Sequence, residues 1–184
     1  MKYHITRVIT SLLLLAIISS CVERRKVKDI MLKFVSSDII IPDDLDCIFN
    51  AETSASYIDT LKSNKLIIYY DSLDCSSCRI SHLFDLYPLY TMADTSDFSV
   101  MTIFSPKKSE VENTRFQLML INHTIPIYLD KNGSFAQLNN CIPTDQRFHS
   151  FLINEIGSVL FVGNPISNEQ LHSVFLKTLN NINN

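Results

Sequence analysis

Lys65-Leu66-Ile67-Ile68-Tyr69-Tyr70 is a continuous apolar run, and soon after it the chain reads Asp74-Cys75-Ser76-Ser77-Cys78-Arg79. The run has the character of a strand buried on both faces. From Cys75 onward Cys78, Leu83, Leu86 and Leu89 or Tyr90 recur at helical spacing. A CxxC pair therefore stands where a buried strand gives way to a helix, and that position says more than the spacing alone. A cysteine in the first helical turn faces unpaired backbone N–H groups and the positive end of the helix dipole, and both favour thiolate over thiol. Cys75 is the expected nucleophile. Cys78, one turn further along the same face, is the expected resolving thiol, shielded more deeply than Cys75.

Other uses of the pair are weaker. A purely stabilising disulfide across so short a loop removes little unfolded-state entropy. A buried thiol pair stays open as a reading. Zinc lacks a second ligand pair at suitable spacing. A c-type haem is excluded because Arg79, not histidine, follows Cys78. His82 lies four residues beyond Cys78, so Cys75, Cys78 and His82 form a facing trio suited to Cu(I), against the simpler reading of His82 as a surface residue. No resident metal or cofactor is expected.

Composition narrows the remaining classes. The chain has 184 residues, 46% of them hydrophobic, which is enough for one domain with a sizeable core and too apolar for intrinsic disorder. Three glycines, Gly133, Gly157 and Gly163, leave no material for a glycine-rich phosphate cradle. With 16 Lys+Arg against 19 Asp+Glu, there is no basic excess to suggest a nucleic-acid partner.

The first residues read as an address. Lys2 and Arg7 precede the apolar run from Val8 to Ile18, which has the length of a signal-peptide core and is shorter than the about twenty residues a membrane span needs. It ends Ile18-Ser19-Ser20-Cys21, which resembles the lipobox of bacterial lipoproteins. That resemblance implies cleavage before Cys21 and lipid attachment to it. Residues 1–20 are thus expected to be a signal peptide, and 21–37 a lipidated, polar tether. Loss of Lys2 and Arg7 leaves the mature chain at a net charge of −5. An exported chain carries its cysteines into an oxidising compartment.

Beyond the tether, residues 38–181 read as one α/β domain, with 182–184 a tail. A short apolar stretch spans Asp38 to Ile41, and Tyr57 to Ser63 is a weak helix. Phe98 to Phe104 is a second buried strand, Lys107 to Ile121 a helix, and Ile125 to Leu129 a third strand weakened by Pro126. Pro88 should kink or end the helix that carries the CxxC. Phe135 to Asn140 is a short helix, Ser150 to Ile153 and Val159 to Val162 form a β-hairpin, and Glu169 to Leu179 is a closing amphipathic helix. This order implies a three-layer sandwich, with a mixed central sheet flanked by helices and ending in a hairpin plus helix.

With these pieces assembled, the chain resembles the thioredoxin superfamily, in particular its TlpA/ResA-like envelope thiol-disulfide proteins. The carrying residues are Leu66 to Tyr70, Cys75-Ser76-Ser77-Cys78-Arg79, Ile127-Tyr128-Leu129-Asp130-Lys131-Asn132-Gly133, and Phe151-Leu152-Ile153-Asn154-Glu155-Ile156-Gly157-Ser158-Val159. The resemblance implies a thioredoxin-like fold and disulfide exchange with protein thiols and disulfides of the bacterial envelope. The setting it implies is a lipid-anchored, periplasm-facing protein. The alternatives are a non-catalytic binding module and a Cu(I)-binding protein.

Three departures from the family pattern stand out. Asp74 occupies the place of a tryptophan, and its carboxylate opposes the Cys75 thiolate, which Ser76 and Ser77 can partly offset by hydrogen bonding. Pro88 comes later than the family's helix proline. The family's cis-proline position, beside the CxxC and in contact with extended substrate, falls on Phe148; the nearest proline is Pro143. Pro143 and Phe148 are therefore the candidate substrate-binding residues. Cys141, two residues before Pro143, is expected at the active-site end of the sheet, as a third redox thiol or a buried one. Cys47 and Cys141 can pair. His149 can approach the CxxC, and of Tyr69 and Tyr70 one can border the site.

Overall fold

The computed structural model describes residues 25–50, 52–54, 61–121, 123 and 125–182. The signal peptide, Cys21 and most of the weak helix expected over 57–63 lie outside them. Helix α1 covers residues 25–35. Then come β1 (Asp46–Phe49), β2 (Glu52–Ser54), β3 (Lys65–Tyr70), α2 (Ser76–Ser81), α3 (Tyr87–Asp94), β4 (Ser99–Phe104), α4 (Val111–Leu120), β5 (Ile127–Leu129), α5 (Ser134–Leu138), β6 (Ser150–Ile153), β7 (Val159–Val162) and α6 (Glu169–Ile182). The seven strands form one sheet in the order β2-β1-β5-β4-β3-β6-β7. Strand β3 pairs in parallel with β4, β4 with β5, and β6 lies antiparallel on the other side of β3. The expected α/β sandwich, with its mixed sheet and terminal hairpin plus helix, is the architecture found.

Alternation along β3 builds both faces. Leu66 and Ile68 join a core with Leu83, Leu86, Leu89, Leu118, Phe161 and Phe175, which packs α2, α3, α4 and α6 against the sheet. Ile67 and Tyr69 point the other way, into a core with Phe34, Phe135, Phe148 and Phe151 that is covered by α1 and α5. A strand that alternates but is apolar from Leu66 to Tyr70 is what two covered faces require.

Several expectations change. The stretch expected as a tether over 21–37 is helical through 25–35, and Phe34 on it is 1% exposed, its ring edge-on to Phe151 at 5.1 Å between centroids. Val27, at i−7 on the same helix face, packs against the same core. Pro88 sits in the first turn of α3, where a missing N–H costs nothing, so it starts a helix instead of ending one. Between α2 and α3 runs a 3-10 turn, Leu83–Leu86.

Strand β5 is only Ile127–Leu129, because Pro126 before it has no N–H for the ladder. Strands β1 and β2 were not anticipated. Asp46 on β1 is held by Arg115 at 2.7 Å and Lys131 at 2.9 Å. The Asp38 to Ile41 stretch makes one bridge, to Ser158, whose Oγ also donates to Asp38 Oδ1, and is held by Asn139, whose Oδ1 accepts from Ile40 N while Nδ2 donates to Ile40 O, all at 2.7 Å. Finally, α6 runs on to Ile182, into the expected tail.

Candidate active site at the CxxC turn

The chain leaves β3 through a turn in which Asp71 Oδ1 accepts from the amides of Leu73 and Asp74, at 2.8 and 3.2 Å. An aspartate bonding the backbone two and three residues on is the ordinary way to close such a turn. Cys75 follows as the N-cap of α2, with extended backbone, and its Sγ accepts from Cys78 N at 3.3 Å. Cys75 and Cys78 are joined by a disulfide, with Cα atoms 5.2 Å apart. Both cysteines are exposed. The expected shielding of Cys78 is therefore not found; α2 turns Ser76 and Ile80 inward and leaves both cysteines on its outer side. In this disulfide state the group that bonds Cys75 Sγ is the Cys78 amide, not a hydroxyl of Ser76 or Ser77.

Asp74 is buried, and its charge is matched. Arg79 donates to its Oδ1 through Nε and Nη2, at 3.0 and 2.8 Å, and Gln146 Nε2 donates to the same oxygen at 3.0 Å. Arg79 Nη2 also donates to Gln146 Oε1, at 3.2 Å, and its guanidinium lies over the Tyr70 ring, 5.2 Å from the centroid. This network divides the surface into two adjoining clefts. One, of about 440 Å³, is lined by Cys75, Cys78, Leu73 and His82. The other, of about 400 Å³, is lined by Tyr69, Arg147, His149 and Ser150. Tyr70, Asp74, Arg79, Gln146 and Asn164 belong to both.

The remaining candidates separate clearly. Tyr70 borders both clefts, whereas Tyr69 touches only the second, is 5% exposed and packs on Phe135. His82 is a surface residue paired with Asp85 at 3.2 Å. Phe148, expected to meet substrate, is buried in the core between the sheet and α1. Its aromatic ring suits that core better than an exposed face. Pro143 lines neither cleft; its carbonyl accepts from His149 Nε2 at 2.9 Å. All peptide bonds among the described residues are trans.

Cys47 and Cys141 are free thiols. Cys47 is buried on β1, and burial pushes its thiol up to about 11, against a hydrogen bond with Tyr128 that works the other way. Cys141 is half-buried, its Sγ 4.0 Å from Asp38 O. Asp38 bridges Ser158, in the turn that follows the β6 partner of Lys65. That is the end of β3 opposite the CxxC, so Cys141 is not at the active-site end.

The sequence reading missed Arg79 and Gln146 as partners of Asp74, and it missed Asp71. Arg79 had a signal: it lies five residues from Asp74, across the turn into a helix, close enough to fold back. Gln146 had none.

No protein-family model matches the sequence, and a search of curated proteins finds no match. Among solved structures, the chain is similar to the protein described as thiol:disulfide interchange protein DsbE from Chlorobium tepidum, with 17% identity and a TM-score of 0.50, over 78% of this chain and 98% of that one. It is also matched to the thioredoxin domain of a thiol-disulfide oxidoreductase from Bacteroides vulgatus, with 15% identity and a TM-score of 0.48, over 78% and 96%.

Proposed function

We propose that this chain, which has the thioredoxin fold, is a thiol-disulfide oxidoreductase of the bacterial envelope that works through Cys75 and Cys78. The observation that carries the reading is the exposed Cys75–Cys78 disulfide, with its first sulfur at the N-cap of the helix that follows the buried strand β3. In the reducing direction the Cys75 thiolate attacks one sulfur of a substrate disulfide, forming a mixed disulfide and releasing the other sulfur as a thiolate. The Cys78 thiolate then attacks Cys75 Sγ. The second substrate thiol leaves, and the protein disulfide forms. Two electrons pass from the protein dithiol to the substrate; the oxidising direction is the same path reversed. The Cys78 amide, 3.3 Å from Cys75 Sγ, stabilises negative charge on that sulfur, and Arg79 offsets the charge of Asp74.

Lipidation at Cys21 would hold this domain at the membrane, facing the periplasm. The support is the short apolar core of residues 8–18 and the small residues before Cys21. No helix among the described residues is long and apolar enough to cross a membrane. Equilibration of the protein in glutathione buffers, read by thiol alkylation, tests the redox reading. A reversible two-electron transition assigned to Cys75 and Cys78 supports it. A pair that stays oxidised across the glutathione range, and exchanges with no added dithiol, favours a binding module instead.

A further inference from the structure

Asp71, Asp74 and His149 converge behind the CxxC turn, with one donor atom of each within 4.8 Å of the other two. His149 sets this cluster apart from an acidic patch. It is 4% exposed, and its Nε2 lies 2.9 Å from Pro143 O. A carbonyl only accepts, so Nε2 carries a proton, and in the neutral ring Nδ1 is then the nitrogen with a lone pair. That Nδ1 is buried and has no hydrogen-bond partner among the described residues. A histidine that donates one ring N–H to a backbone carbonyl, leaving the other nitrogen bare, is in the state that binds a metal ion.

The carboxylates are half used in the same sense. All the hydrogen bonds that Asp74 accepts among the described residues fall on Oδ1, and so do both that Asp71 accepts. We infer that Asp71 Oδ2, Asp74 Oδ2 and His149 Nδ1 form a site for a divalent first-row transition cation, completed by water. An imidazole beside two carboxylates suits Zn²⁺, Co²⁺ or Fe²⁺ better than Mg²⁺ or Ca²⁺, which take oxygen alone. Arg79 lowers the affinity by its charge, yet it fixes Asp74 from the Oδ1 side and leaves Oδ2 for the ion. Two carboxylates against one guanidinium still present a net negative charge to the cation. Bound there, the ion masks the carboxylate that precedes Cys75. The site itself stands whether or not the cysteines exchange disulfides.

Co²⁺ is the probe, titrated into the full chain with Cys75–Cys78 kept oxidised. The expected result is saturable uptake of one ion per chain, with d–d absorption and no thiolate-to-cobalt charge transfer. Affinity should fall at least about tenfold in His149→Gln and in Asp71→Asn, on the scale of a lost metal-site interaction. Asp71→Asn keeps an oxygen for the Leu73 and Asp74 amides, so the turn survives in it even where His149→Gln fails to fold. Absence of saturable uptake overturns the site. So does a thiolate charge-transfer band, or an affinity unchanged in Asp71→Asn.

Discussion

Arg79 and Asp74 make a two-nitrogen contact on one oxygen: Nε and Nη2 of the guanidinium both donate to Asp74 Oδ1. The Asp74 side chain is 3% exposed and that of Arg79 42%, so a buried anion beside Cys75 is neutralised from the surface. Removing the cation leaves Gln146 as the side chain that donates to Asp74 among the described residues. Arg79→Ala should therefore cost roughly 1–3 kcal/mol, the usual consequence of stranding a buried polar group, read as a lower urea midpoint.

The same pair makes a prediction about reactivity in opposite directions. In reduced protein treated with a chelator, Arg79→Ala should slow alkylation of Cys75 near neutral pH, because an unmatched carboxylate disfavours the neighbouring thiolate. Asp74→Asn should speed it. Iodoacetamide labelling followed by peptide mass spectrometry gives both rates, and a common direction for the two variants would refute the electrostatic account.

Phe34 tests where the folded domain begins. Its ring is buried against Phe151, and a buried Phe→Ala change costs about 3–5 kcal/mol. Phe34→Ala should lower stability on that scale in urea. A tether over these residues would give no change.

Cys47 gives a pH dependence with a definite sign. Burial raises its folded thiol to about 11, against 9.0 for an ordinary thiol. The folded state thus holds its proton more tightly than the unfolded state. The stabilising contribution is fully present below about pH 9 and is lost as pH rises toward about 11. Urea midpoints measured from pH 8 to pH 11 should decline, and Cys47→Val should reduce the decline. Cys47 should also resist alkylation at neutral pH until the chain unfolds.

The proposed anchor rests on residues 1–21. Cys21→Ser should move the protein from the membrane fraction to the soluble fraction of fractionated cells. Continued sedimentation with membranes would remove the lipid-anchor reading.

The sheet centre was legible because β3, β4 and the β6–β7 hairpin are apolar runs bounded by turn residues, and burial on both faces demands such runs. Strands β1 and β2 were not legible: Asp46-Cys47-Ile48-Phe49 is short, and its charged first residue is satisfied by Arg115 and Lys131 from far along the chain. Helix α1 did carry a signal, Val27, Ile30, Met31 and Phe34 at helical spacing, but the basic residues before it drew the reading toward a tether. At the site, the CxxC and its strand-to-helix setting could be read directly. The partners of Asp74, the orphaned ring nitrogen of His149 and the burial of Phe148 depend on how the loop before β6 folds back over the turn. No local pattern encodes that return.

The most direct test of the redox account is to remove the resolving thiol in cells and look for trapped partners. Cys75 stays exposed in Cys78→Ser and loses its resolving partner, so envelope proteins should accumulate as mixed disulfides on Cys75. On non-reducing gels these adducts should dissolve with dithiothreitol and be absent from Cys75→Ser. A Cys78→Ser protein that traps nothing, with a Cys75 that alkylates at the rate of an unperturbed thiol, would contradict catalysis through this pair.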